Sequence, residues 1–206
     1  MYARSITIMG DPERLDEGIA YVRDEVMPTV TALDGCVGLS MLVDSGNGEC
    51  IVTSSWETEE TMRASDVHLA PMRRRGGEIM GGPPEVAEWE VAVMHRAHVA
   101  PAGSCCRVTW MRLNHTDVDR GIAIYRAAML PEMEAIEGFC SASLLVDRKA
   151  GRACNTTTYD SREALAASRE RSWTIRDAGI RDAGVDVLDV VECDLALAHL
   201  RLPELV

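Results

Sequence analysis

The sequence has few aromatic residues and few basic ones. Phe, Trp and Tyr make up 4% of the 206 residues, and 21 Lys and Arg stand against 33 Asp and Glu, which gives a formal net charge of −12. Proteins that bind nucleic acids or anionic membranes need a basic surface, and unpaired bases stack on aromatic side chains. The composition therefore predicts a protein with no nucleic-acid partner and no membrane partner.

Long apolar runs and a secretory signal are also missing. No window approaches the ~18 consecutive apolar residues of a membrane span, and residues 1–9 lack a basic region followed by an apolar core. We therefore expect a cytoplasmic protein. The seven cysteines include no Cys-x-x-Cys pair, and we expect them to be reduced thiols that pack as small apolar side chains.

Motifs for cofactors and metals are absent as well. The sequence contains no phosphate-binding P-loop, no GxGxxG and no Ser/His/Asp order of a hydrolase, so we expect no bound cofactor. His95 and His98 are close in sequence, but they lie at a predicted strand end with no carboxylate or thiol nearby. A metal site is not expected there.

What the sequence does contain is an internal repeat. The segment from Asp16 to Ser65 recurs without a gap at a constant offset of 103 residues, so that Leu42-Val43-Asp44 matches Leu145-Val146-Asp147. Roughly a third of the aligned positions are identical, and repeats of this kind mark tandem structural units. We predict a first repeat over 1–98, a linker over 99–104 and a second repeat over 105–206.

Each repeat has the pattern of a βαββαβ unit. In the first, residues 2–9 alternate as a strand, and Asp11-Pro12 opens an amphipathic helix that ends at Gly35. A hairpin follows over 36–44 and 49–56, then a helix from Thr58 that fades near 73–77, and a last strand over 86–95. Both faces of these strands carry apolar or small residues, so each sheet needs a second layer. The two repeats would provide it for each other, as a monomer with pseudo-twofold symmetry or as a homodimer.

A family resemblance rests on one stretch of each repeat: Asp34-Gly35-Cys36, Leu42-Val43-Asp44, Gly48 and Trp56-Glu57-Thr58-Glu59-Glu60, and their counterparts from Glu137-Gly138-Phe139 to Tyr159-Asp160-Ser161-Arg162-Glu163. This pattern resembles the dimeric α+β barrel superfamily, and within it the antibiotic-biosynthesis monooxygenase-like domains, over nearly the whole chain. The resemblance implies an α+β fold of two tandem ferredoxin-like βαββαβ repeats whose antiparallel sheets pack into an intrachain α+β barrel.

Haem-degrading members of that superfamily imply three further residues. They have an Asn on the first strand, a Trp about nine residues after the aromatic that ends the third strand, and a His about nineteen residues after it. Those last two places hold Ser65 and Arg75 in the first repeat and Ser168 and Ala178 in the second, and neither first strand has an Asn. Haem degradation of that type is not expected.

Candidate site residues follow from their places in the repeat. We predict three catalytic residues, His68, Trp56 and Tyr159, and five ligand-binding residues: Arg4, Arg107, Trp110, Trp173 and Asn155. Each also has a structural interpretation. The two aromatics could pin a strand to a helix, His68 could be a surface residue, and an arginine inside a sheet must be paired or reach solvent.

Two functions remain open at this point. One is a cofactor-free, monooxygenase-like enzyme that binds a planar organic small molecule between sheet and second helix. The other is a non-catalytic ligand-binding or regulatory module on the same fold. Because the two copies have diverged, for example at Ala70 and Trp173, we predict one functional cavity and one degenerate cavity.

Overall fold

The computed structural model describes residues 1–113 and 117–200. The first half contains β1 (Tyr2–Met9), α1 (Leu15–Tyr21), α2 (Met27–Thr31), β2 (Cys36–Asp44), β3 (Glu49–Trp56), α3 (Glu59–Ala64), α4 (Asp66–Met80) and β4 (Pro84–Arg96). The second half contains β5 (Cys105–Arg112), α5 (Val118–Ile124), α6 (Leu130–Glu134), β6 (Phe139–Asp147), β7 (Arg152–Tyr159), α7 (Arg162–Ala167), α8 (Arg169–Ala183) and β8 (Asp186–Leu200).

The chain divides into two compact units. The first comprises Met1–Glu90 and the described residues from Cys193 onward, and the second comprises Val91–Glu192. In the first, β1 pairs antiparallel with β3 and β4, and β2 pairs antiparallel with β3 and β8. In the second, β7 pairs antiparallel with both β5 and β6. The order of hydrogen-bonded strands is β1-β3-β2-β8-β5-β7-β6-β4. The predicted α+β fold class with two ferredoxin-like repeats is confirmed.

Both central hairpins have the predicted limits. The turn between β2 and β3 places Gly48 at φ +74°, a conformation that glycine adopts without strain, and Gly151 occupies the same place at φ +62°. The Asp44 carboxylate accepts a hydrogen bond from the backbone N–H of Gly46 at 2.9 Å, as is usual for an Asp that opens a turn. Turn chemistry therefore sets the register of β2 on β3.

A π-helical turn interrupts the first helix of each unit. It spans Val22–Val26 between α1 and α2, and Tyr125–Met129 between α5 and α6. In each, a proline (Pro28 or Pro131) follows within two residues. Proline has no N–H to donate to the next helical hydrogen bond, and its ring clashes with the carbonyl four residues back. The wider turn relieves that clash, so the helix continues past the proline.

The helix α4 of the first unit extends further than the sequence predicts. The sequence predicts that it fades near 73–77, where three basic residues precede two glycines, but α4 continues to Met80 and ends on Gly81 in the left-handed conformation. The two glycines stay helical. A Cβ on Gly77 would come within 2.7 Å of the Gly82 carbonyl oxygen, so close packing requires a glycine at that position.

Each unit has its own hydrophobic core between its helices and one face of its strands. Trp56 and Tyr159 lie at equivalent places and are almost completely buried in the first and second core. Six of the seven cysteines are buried and Cys36 is partly buried, and none of the seven forms a disulfide. Within the described residues, no helix is long and apolar enough to cross a membrane.

Candidate functional site

A cavity of about 940 Å³, counted with its open mouth, lies in the second unit. It is bounded by α5, α6 and α8 and by the helix-facing side of β5, β6 and β7. Its wall is mainly aliphatic and methionine side chains: Met111, Ile122, Met129, Met133, Leu144, Val146 and Ile175. A mostly apolar cavity with a few polar groups is the usual form of a small-molecule site.

Three polar side chains of this cavity form a connected cluster around Asn155. The Tyr125 hydroxyl donates to Asn155 Oδ1 at 2.6 Å, and Asn155 Nδ2 donates to Thr157 Oγ1 at 3.3 Å. Tyr125 begins the π-helical turn, and such turns recur at functional sites. Burial raises the pKa of Tyr125 well above its ordinary value, so the phenol stays neutral and acts only as a hydrogen-bonding group.

Arg107 on β5 also lines this cavity, held by partners within its own unit. Its Nε and Nη2 donate to Glu192 Oε1 at 3.2 and 2.8 Å, and its Nη1 donates to Ser168 Oγ at 3.0 Å. The Tyr159 ring lies 5.7 Å from the guanidinium carbon. Hydrogen bonds from Arg169 and Arg107 lower the pKa of Glu192. A nearly buried charge is thus neutralised at the cavity wall.

The first unit has an equivalent cavity of about 610 Å³, and its wall is more apolar. Val22 and Val52 stand where the second unit has Tyr125 and Asn155, so the hydrogen-bonded cluster is missing there. Arg4 repeats the arginine arrangement, with Nη2 donating to Glu88 Oε1 at 2.6 Å and Nη1 to Ser65 Oγ at 3.3 Å. The two cavities differ mainly in their polar groups.

Three predicted ligand-binding residues meet at the larger cavity. Arg107 and Asn155 lie on its sheet side, and Trp173 lies on α8 with about half of its surface exposed. Tyr159 is outside the lining, but its hydroxyl lies 2.9 Å from Ser172 Oγ, and Ser172 is part of the lining. Arg4 lies at the smaller cavity.

Three other predicted residues are not brought to either cavity. His68 is exposed on α4 and is absent from the lining of the first cavity. Trp56 is fully buried, with its indole N–H donating to Ser54 Oγ at 3.1 Å, as a residue that fastens the end of β3 to the core. Trp110 is half-buried on β5, where Arg107, Thr109 and Met111 alternate with it and face the cavity. The catalytic roles of His68, Trp56 and Tyr159 stay predictions.

Sequence reasoning missed Tyr125 and the two glutamates that pair with the strand arginines. Tyr125 occupies one apolar position of an amphipathic helix, so periodicity alone assigns it to the core. Glu88 and Glu192 are 84 and 85 residues away from their arginines. Their signal is in the repeat, because both copies keep an Arg on the first strand and a Glu on the last.

A second cluster overturns one sequence argument. His98 has no carboxylate or thiol close to it in sequence, but the fold places Asp160 and Cys140 beside it. His98 Nε2 lies 2.7 Å from Asp160 Oδ1, and the Cys140 thiol donates to the same oxygen at 3.1 Å. The reason given for expecting no metal site is therefore wrong.

Two proteins of Mycobacterium tuberculosis are similar to the chain over its whole length. The uncharacterized protein Rv2557 is 50% identical over 206 residues, which is 100% of this chain and 92% of Rv2557. The uncharacterized protein Rv2558 is 48% identical over 207 residues, which is 100% of this chain and 88% of Rv2558. No protein-family model matches the sequence.

Solved structures share the fold at low sequence identity. A proposed monooxygenase from Fusobacterium nucleatum superposes with a TM-score of 0.71 and an anthrone oxidase-like protein with 0.63, each at 12% identity; they cover 97% of this chain and 94% and 93% of their own chains. A ferredoxin-fold protein from Listeria monocytogenes, related to antibiotic biosynthesis monooxygenases, has a TM-score of 0.55 at 12% identity and 95% coverage of both chains. The resemblance to this superfamily is confirmed for the fold.

Proposed function

We propose a small-molecule-binding, monooxygenase-like function for this chain, which belongs to the family of the Mycobacterium tuberculosis proteins Rv2557 and Rv2558. The ligand is a planar organic molecule that lies in the cavity of the second unit. The observation that carries the proposal is the polar cluster of Tyr125, Asn155 and Thr157 inside a mainly apolar wall. The described lining of the first unit's cavity has no such cluster, which supports one functional cavity.

The wall chemistry suits a flat ring system with one or two oxygen atoms. Methionine and branched aliphatic side chains adapt to an apolar ring, and Asn155 can hydrogen-bond to a ring carbonyl or hydroxyl. Arg107, although paired with Glu192, adds a positive partial charge on the sheet side. Trp173 on α8 would cover the open side of the ligand. One of the similar structures is named anthrone oxidase-like, and that name supports this substrate class.

The reaction we propose takes its electrons from the substrate itself. Oxidation of a ring CH₂ to a carbonyl by O₂ places one oxygen atom on carbon, and the other leaves as water with the two hydrogens of the CH₂. Negative charge would develop on a ring oxygen as the first proton leaves. Hydrogen-bond donors in a dry cavity stabilise such a charge. The Asn155 amide is suited to that task, since its Nδ2 carries a second N–H and the Tyr125 hydroxyl fixes its orientation by donating to Oδ1.

Binding should be tested first, with 1,8-dihydroxyanthraquinone as an unreactive planar probe in a tryptophan fluorescence titration. We expect one probe per chain, and about a tenfold weaker affinity for Asn155→Val, since a lost hydrogen bond in a dry site costs roughly 1–1.5 kcal/mol. Tyr21→Phe is the matched control, because it removes a tyrosine hydroxyl from the other cavity. Equal weakening by both variants, or unchanged affinity in Asn155→Val, would refute the proposed site.

Oxygen uptake with anthrone and a panel of hydroquinones then tests the reaction. We expect stoichiometric O₂ consumption by the wild-type protein, faster than the spontaneous rate, and a loss of that excess in Asn155→Val. Spontaneous-rate oxidation by protein that still binds the probe would overturn the enzymatic part of the proposal and leave the binding part intact.

That outcome would favour a non-catalytic ligand-binding or regulatory module. One observation favours this second candidate: among the described lining residues of the larger cavity there is no histidine and no cysteine, and Tyr125 remains protonated. A proton acceptor with an ordinary pKa near neutrality is thus missing from that wall. Native mass spectrometry of the purified protein should then show a retained small molecule that does not turn over.

A further inference from the structure

We infer that His98, Cys140 and Asp160 form a binding site for a divalent transition-metal ion of the zinc type, separate from the small-molecule cavity. One imidazole nitrogen, one thiol sulfur and one carboxylate oxygen lie within 4.8 Å of one another. Imidazole, thiolate and carboxylate are the three side-chain ligands that proteins use for zinc, and a site with three of them keeps a fourth position open.

The backbone builds this cluster from three separate segments. Cys140 is the extra residue of a β-bulge, where the pairing of β6 with β7 shifts between Phe139 and Ser141. Bulges redirect side chains and recur beside functional sites. The Cys140 carbonyl accepts hydrogen bonds from the backbone N–H groups of Ala97 and His98 at 2.9 and 3.3 Å, which holds the residues after β4 against the bulge. Asp160 is fixed by its own N–H, which donates to the Gly138 carbonyl at 2.8 Å.

The exposure of the three groups suits an ion that enters from solvent. Cys140 is fully buried, whereas the side chains of His98 and Asp160 are 46% and 39% exposed. An ion would therefore be coordinated by a buried sulfur on the protein side and by two surface side chains on the solvent side. The present distances, 2.7 and 3.1 Å to Asp160 Oδ1, are those of hydrogen bonds. Ligand atoms around tetrahedral zinc are roughly 3.3–3.8 Å apart, so His98 and Cys140 would each need to move away from Asp160 Oδ1 by less than about 1 Å.

The charges also balance. A thiolate and a carboxylate together neutralise a divalent cation, and the imidazole binds in its neutral form. Without a metal, the Cys140 thiol donates its proton to the Asp160 carboxylate in a hydrogen bond of 3.1 Å. The metal would replace that proton and the His98 hydrogen bond together, because a coordinated thiol is deprotonated.

The first unit provides an internal comparison. Its β2 carries the same bulge between Cys36 and Gly38, and the backbone N–H of Glu57 makes the same 2.8 Å bond to a glycine carbonyl. However, Val37 stands where Cys140 is, so that bulge cannot bind a metal through sulfur. The fold therefore does not require a thiol on the bulge, and the three ligand types occur together in the second unit.

Cobalt(II) titration of chelator-treated protein tests the site, because a thiolate ligand gives cobalt a near-ultraviolet charge-transfer band. We expect one equivalent of cobalt per chain, the band in the wild type and its loss in Cys140→Ser. His98→Ala and Asp160→Asn should each bind cobalt and zinc at least about tenfold more weakly. Cys36→Ser is the control thiol, from the corresponding strand of the first unit, and should keep both band and affinity.

Folding is checked by circular dichroism, and the half-exposed His98 decides the result if Cys140→Ser fails to fold. A folded His98→Ala variant with weakened binding and a diminished band supports the site. Wild-type affinity in that variant, a band that survives in folded Cys140→Ser, or a band that disappears in Cys36→Ser would overturn it.

Discussion

At the scale of single residues, the strand arginines show how a charge is held inside a sheet. Arg107 is 5% exposed, and its partners Glu192, Ser168 and the Leu165 carbonyl all come from its own unit. The sequence predicts that such an arginine must be paired or reach solvent, and in the structure Arg107 is paired with Glu192. The identity of the partner was not predictable from local sequence, because it lies 85 residues away.

Removing that partner should destabilise the protein. Glu192→Gln leaves the buried Arg107 guanidinium without its counter-charge, and we expect the free energy of unfolding to fall by roughly 3 kcal/mol. Urea denaturation measures it. Asp177→Asn, which breaks the exposed pair with Arg176, is the control and should stay within about 0.5 kcal/mol of the wild type. Equal effects of the two variants would contradict the burial argument.

The same pair should lose its contribution in acid. The pKa of Glu192 is lowered by hydrogen bonds from Arg169 and Arg107, from an ordinary value of 4.5. A carboxyl with a lowered pKa stabilises the fold fully above its ordinary pKa, and this stabilisation is lost as the pH falls through the lowered value. The stability difference between wild type and Glu192→Gln should therefore be constant from pH 7 to pH 6 and shrink below pH 4.5. A difference that grows in acid would show the opposite linkage.

At the scale of elements, turn chemistry was easier to predict than helix length. The hairpin strands Cys36–Asp44 and Glu49–Trp56 have the predicted limits, because a short glycine-containing turn leaves little freedom in register. The end of α4 was wrong by several residues, because Gly76 and Gly77 favour a helix end in isolation. Packing against the segment around Gly82 keeps them helical, and no local pattern carries that information.

These two adjacent glycines should respond in opposite ways to alanine. A Cβ on Gly76 would have no neighbour closer than 3.8 Å, so Gly76→Ala should gain helix propensity and raise stability by up to about 1 kcal/mol. A Cβ on Gly77 would press on the Gly82 carbonyl at 2.7 Å and Pro84 Cδ at 2.9 Å, so Gly77→Ala should lower stability. Thermal unfolding of both variants checks the signs, and a stabilising Gly77→Ala would contradict the contact.

At the scale of the whole molecule, the repeat explains the architecture and its divergence locates the candidate site. Secondary-structure order and fold class follow from the pattern that both copies share. The cavity chemistry lies in the differences, such as Tyr125 against Val22 and Asn155 against Val52. Those differences are visible in the sequence, but only the fold shows that Tyr125 and Asn155 lie at the same cavity wall. The repeat limits 1–98 and 105–206 and the oligomeric state remain predictions.

Ligand binding should stabilise the whole chain. A ligand present at 100 times its dissociation constant adds about 2.7 kcal/mol to a folded state that alone binds it. For a chain of this size that corresponds to a rise in Tm of roughly 5–10 °C. We expect 1,8-dihydroxyanthraquinone to produce this rise in the wild type and in Tyr21→Phe, and a smaller rise in Asn155→Val when scanned at the same probe concentration. Identical shifts in all three would argue for binding elsewhere.

The most direct test of the central claim, that the second unit carries the ligand site, is a crystal structure of the protein grown with 1,8-dihydroxyanthraquinone. We predict ligand density between α8 and the strands β5 and β7, within hydrogen-bonding distance of Asn155 and covered by Trp173. Density confined to the cavity of the first unit, or to the protein surface, would contradict the claim.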